Sequence, residues 1–133
     1  MSETNISVPQ ESLTPSDCRG LADVLSSVGD KWTIMVVGAL SKGQLRYNEI
    51  RRRVSGISQR MLTLTLKRLE ADGLVTRTLF PSVPPRVDYE LTELGQSLRA
   101  ALVPLHLWAA RNKQIIAENR AKSGSGTTPL RFQ

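Results

Sequence analysis

The stretch SGISQRMLTLTLKRLEADGLV, residues 55 to 75, constrains the fold more than any other part of the chain, because it fits two periods at once. From Leu62 to Leu66 the letters alternate L-T-L-T-L, the pattern of a half-buried strand. A turn of about 100° per residue instead places Ser58, Leu62, Leu66, Leu69 and Gly73 on one narrow stripe. Length decides between them: about fifteen residues pass before a break, too many for an ordinary strand and normal for a helix. The ends agree, since Ser58 suits an N-cap and Gly73 suits a left-handed residue just past the C-terminus. The spacing predicts a helix over 58–72.

On that wheel Leu64 lies about 200° from Leu62 and points away from the buried stripe, on the side of Arg60, Thr63, Lys67 and Ala71. An outward leucine among basic side chains suits a helix in the DNA major groove. There an apolar group meets a thymine methyl, while Arg and Lys reach guanine edges or phosphates. A tolerated surface leucine produces the same pattern.

The flanks favour the groove. RYNEIRRRV (46–54) puts Tyr47, Ile50 and Val54 on one face and Arg51, Arg52 and Arg53 mostly around the others, and Ser55-Gly56 ends it. After the longer helix, LVTRTLF and RVDYEL are β-prone runs around PSVPP, which predicts a hairpin with a long tip. Short helix, glycine turn, longer basic helix and hairpin, in that order, form a winged helix-turn-helix. Upstream, LADVLSSVG (21–29) has helical spacing, and Asp30 can cap a more buried helix in DKWTIMVVGAL.

From Thr92, Leu94, Leu98, Ala101, Leu105, Trp108, Asn112 and Ile115 recur at alternating spacings of four and three, an a/d seam that predicts dimerisation. Pro104 sits inside it and removes a backbone donor, so a kink or a break into two helices is expected nearby. The expected class is mainly α with a small β-hairpin (α+β). A flexible arm covers 1–16 and the winged domain 17–121, with its helix-turn-helix at about 46–72, its wing at about 74–91 and its C-terminal helical region at about 92–121. A flexible tail covers 122–133.

Charge points to the same partner. Between Gln44 and Arg86 stand nine basic residues and three acidic ones, and the rest of the chain is balanced, so the net +6 is concentrated in the middle. A basic centre with neutral flanks is the footprint of a protein that meets a polyanion, although charge runs are also ordinary solvated faces. No run of about 18 apolar residues and no basic, apolar start is present, and a cytoplasmic protein without membrane contact is expected.

These segments resemble the HxlR family of winged helix-turn-helix regulators, a branch of the MarR-like proteins. The likeness spans roughly residues 18 to 116 and is carried by the lone Cys18, GDKWTIMVVGAL, RYNEIRRRVSGISQRMLTLTLKRLEADGLV and FPSVPPRVDYELTELG. It implies a homodimeric transcription factor, commonly a repressor, on a pseudo-palindromic double-stranded operator, often answering to an oxidant or a reactive small molecule. It also implies that Ser58, Gln59, Arg60, Thr63, Leu64 and Lys67 lie on the recognition surface and Arg77 and Arg86 on the wing. Arg51, Arg52 and Arg53 are expected to contact phosphates in part. Leu98, Ala101, Leu105, Trp108 and Ile115 are the expected dimer contacts, because an isolated helix would expose that stripe.

Cys18 is the only cysteine, which excludes an intramolecular disulfide and a cysteine-rich metal site. Beside Arg19 and near a helix start capped by Asp17 or Ser16, it is a candidate redox sensor; Asp17 opposes a thiolate, and a plain small residue is the simpler reading. His106 has no second ligand nearby, so no metal is expected. Trp32 and Trp108 read as core and interface residues. Neither a nucleophile motif nor a phosphate-binding glycine loop nor HExxH occurs, so no cofactor and no enzyme are expected. The rival functions are a protein-interaction module on the same fold and nonspecific, architectural DNA binding.

Overall fold

The computed structural model describes residues 12–124. Most of the expected arm and tail, 1–11 and 125–133, therefore lies outside the described residues. The chain divides into two units, one ending at Gln96 and one beginning at Ser97.

The first helix, α1 (Pro15–Val28), starts earlier than the sequence suggests. Its cap is Thr14, neither Asp17 nor Ser16: the Asp17 N–H donates to Thr14 Oγ1 at 3.0 Å and the Thr14 N–H donates to Asp17 Oδ2 at 3.1 Å. Pro15, inside the expected flexible arm, fits the first turn because its missing N–H has no intrahelical role there. Helix α2 (Lys31–Ala39) is capped by Asp30, as expected, and buries Thr33, Val36 and Val37.

After a turn through Gly43, the two-residue strand β1 (Leu45–Arg46) leads into α3 (Tyr47–Arg53), then α4 (Gln59–Ala71). The ambiguous stretch is a helix, with Ser58 Oγ accepting from the Met61 N–H at 3.0 Å and Gly73 at φ +77° past its end. Leu62, Leu66 and Leu69 are buried, so the 3.6-residue period governs. Thr65 is fully buried too, which the leucine stripe did not predict.

The wing is β2 (Val75–Phe80) and β3 (Arg86–Leu91), antiparallel, with Val75 opposite Leu91 and Phe80 opposite Arg86. β1 pairs with β3 through Leu45 opposite Tyr89, completing a three-stranded sheet in the order β1-β3-β2. Two residues carry too little pattern for a sequence reading to find β1.

Thr92 closes the first unit: its hydroxyl donates to the Gly73 carbonyl at 2.7 Å and accepts from the Gly95 N–H at 3.0 Å. Gly95 sits so near the chain at Leu74 that a Cβ would collide with the Leu74 carbonyl oxygen. Helix α5 (Glu93–Gly124) runs on past the expected limit at residue 121 and contains Pro104 without a break, so of the expected kink or break into two helices the break does not occur. Pro104 leaves only the Ala100 carbonyl without its helical donor, and Ala100 is exposed, so water can satisfy it. No helix among the described residues is long and apolar enough to cross a membrane.

Candidate nucleic-acid interface

Helix α4 has two unlike sides. One buries Leu62, Thr65, Leu66 and Leu69, and the other presents Gln59, Arg60, Leu64 and Lys67 to solvent, with Leu64 47% exposed. The burial of the first side fixes the rotation of the helix and thereby aims the second. Ser58 is exposed, with its Oγ engaged as the cap. Thr63 is half-buried at the edge of the outward side, 2.9 Å from the Tyr47 hydroxyl, which also donates to the Gln59 carbonyl at 3.0 Å.

Arg51, Arg52 and Arg53 are exposed in the last turn of α3, where they also favour the helix dipole. Arg46 and Arg52 line a cleft of about 650 Å³ between the start of α3 and the wing tip, together with Asn48, Pro85 and Arg86. A second open cleft, of about 470 Å³, joins Tyr47, Thr63 and Lys67 to Arg77 and Tyr89 of the sheet.

Two bases of the central region, Arg68 and Arg86, already have partners within the protein while staying partly exposed. The Arg68 guanidinium is 3.0 Å from the Asp30 carboxylate, and Arg86 Nε is 3.2 Å from buried Asp88 while its guanidinium lies 4.3 Å over the Phe80 ring. Arg86 therefore braces the wing from within, a role its position in the sequence did not reveal. Gln44 Nε2 donates to the other Asp88 oxygen at 3.3 Å. Burial alone would raise the Asp30 carboxyl. Donation from the Thr33 N–H and hydroxyl, with the Arg68 charge, outweighs that and holds it below its ordinary value.

The sequence reading missed Tyr47, Asp30, Asp88 and Phe80 as residues that shape this surface. Only Tyr47 carried a usable signal, because a phenol on a core-facing stripe usually finds a polar partner. Cys18 lies exposed in the first turn of α1. Of the expected dimer contacts, Ala101 is exposed, Leu98 half-buried, and Leu105, Trp108 and Ile115 are 56%, 51% and 54% exposed.

The family described as HxlR-like helix-turn-helix matches residues 27–116. An HTH-type transcriptional regulator of Methanothermobacter thermautotrophicus is 44% identical over 110 residues, covering 77% of this chain and 84% of that protein. Among solved structures, the redox regulator HypR in its reduced form is 37% identical with a TM-score of 0.70, covering 74% of this chain and 98% of that one. Diamide-treated YodB from Bacillus subtilis is 32% identical with a TM-score of 0.62, covering 76% and 96%.

Proposed function

The chain belongs to the HxlR-like helix-turn-helix family and is a DNA-binding transcriptional regulator, not an enzyme; from that premise we propose a homodimeric, sequence-specific repressor that answers to an oxidant or electrophile. The observation that carries the DNA-reading assignment is Leu64, 47% exposed between Arg60 and Lys67 on a helix whose other side is wholly buried. α4 lies in the major groove in this reading, with the wing tip from Pro84 to Arg86 on the backbone or minor groove. The arginines of α3 meet phosphates.

Dimerisation is supported by α5, which leaves Leu105, Trp108 and Ile115 more than half exposed. A two-fold pair of recognition helices matches a pseudo-palindrome with half-sites about one helical turn apart. The redox reading is supported by exposed Cys18 and by the likeness to HypR, whose oxidised and reduced forms are both solved.

Fluorescence anisotropy with duplex DNA from upstream of the protein's own gene, against scrambled duplex at low and near-physiological salt, tests this. Saturable binding that prefers the native duplex at the higher salt is expected. Equal binding to both, collapsing as salt rises, would replace it with architectural binding by charge alone.

A further inference from the structure

Tyr47 and Thr63 form a two-hydroxyl chain whose proton order is fixed by its far end. The Tyr47 oxygen lies 3.0 Å from the Gln59 carbonyl oxygen and 2.9 Å from Thr63 Oγ1. A carbonyl oxygen only accepts, so the phenol donates to Gln59, and its own oxygen accepts the Thr63 proton. The donor of Thr63 is thus used inside the protein. What remains for a partner is an acceptor lone pair and a methyl group, at the edge of the outward side of α4 and in the open cleft shared with Lys67 and Arg77.

An acceptor-only hydroxyl is selective in a major groove. Phosphate oxygens, guanine O6 and N7 and thymine O4 are all acceptors and would face it lone pair to lone pair, whereas adenine N6 and cytosine N4 carry protons to donate. We infer that Thr63 is a specificity-determining residue that reads an exocyclic amino group, adenine N6 or cytosine N4, and that Tyr47 is the positioning residue that keeps it an acceptor. The inference rests on the proposed placement of α4 in the groove. Without the phenol, the Thr63 hydroxyl regains a choice between its own i−4 carbonyl, Gln59 O, and a keto oxygen on the DNA.

The test is selection of binding sites from a random duplex library by the full chain and by Thr63→Val, Thr63→Ser and Tyr47→Phe, each first shown to unfold cooperatively near the wild-type temperature. In the wild type, one position per half-site should favour A or C over G and T by about fivefold, the worth of one hydrogen bond. Thr63→Val should flatten that position alone, Thr63→Ser should retain the preference, and Tyr47→Phe should at least halve it. A motif unaffected by Thr63→Val, or a Thr63-dependent position that selects guanine or thymine, overturns the inference and leaves the regulator reading standing. No enriched motif from the wild type overturns the sequence-specific reading itself, and this inference with it.

Discussion

Arg68 Nη2 of the candidate recognition helix lies 3.0 Å from Oδ2 of Asp30, the residue that caps α2. One carboxylate thus holds the start of one helix and the last turn of another, and Arg68, which adds to the basic centre on paper, is paired with it at a partly exposed site. Asp30→Ala removes both cap and pair and should destabilise by about 1 to 2 kcal/mol in urea unfolding, most of it the cap. Asp30→Asn keeps a capping oxygen, and Arg68→Ala loses only a partly exposed pair, so each should cost less than about 1 kcal/mol. A larger loss from Arg68→Ala than from Asp30→Ala would contradict this division.

The same site predicts a pH dependence. The folded-state value of Asp30 lies below 3.8, its ordinary value, so the carboxylate contributes stability that is fully present above 3.8 and is lost as pH falls through the lower folded value. The difference in melting temperature between the wild type and Asp30→Asn should therefore be constant from pH 7 to about 5 and shrink below about 4. Calorimetry across that range checks it, and a difference that grows on acidification contradicts it.

On the reading face, Arg60→Ala and Lys67→Ala should both weaken operator binding. If Arg60 holds a guanine, its loss is about 1 to 3 kcal/mol and falls on one base position, whereas a Lys67 phosphate contact is lost equally on all sequences and lowers the salt slope by about one. Anisotropy titrations at several salt concentrations separate the two. Undiminished binding in both variants would remove this face from the DNA.

For the exposed seam of α5, Leu105→Glu or Trp108→Glu should shift the protein from dimer to monomer in analytical ultracentrifugation and weaken binding to a two-half-site duplex at least tenfold. Binding to a single half-site should change little. A dimer that survives both substitutions would place the interface elsewhere.

Cys18→Ser should leave the affinity of the reduced protein intact and abolish any change caused by peroxide or quinone. The measurement is operator binding before and after oxidant, with intact mass to identify the adduct. An unchanged oxidant response in the serine variant would exclude Cys18 as the sensor.

Much of the fold was legible in the chain because its signals are local. The 3.6-residue stripe through Leu62, Leu66 and Leu69, the cap at Ser58, the left-handed Gly73 and the two β-prone runs each depend on residues a few positions apart. The outward direction of Leu64 followed from the same periodicity, since one buried face fixes the other. Even the misplaced start of α1 had a local signal, the Thr14–Asp17 capping box, hidden by a proline that belongs in a first turn.

What the sequence by itself determined is therefore the order of the helices and the hairpin and the main apolar stripe of the candidate recognition helix. What tertiary structure decided is the short strand β1 and which polar groups are spent on one another. Arg68 meets Asp30 across 38 residues, Gln44 reaches Asp88 across 44, and Tyr47 takes the Thr63 hydroxyl across 16. Periodicity sets the direction of a side chain along its own helix or strand. It carries no information about the element packed opposite, and a hydrogen bond needs both ends within about 3 Å. Only the packed chain brings those ends together, and in doing so it settles which side chains on the candidate DNA face remain free to bind.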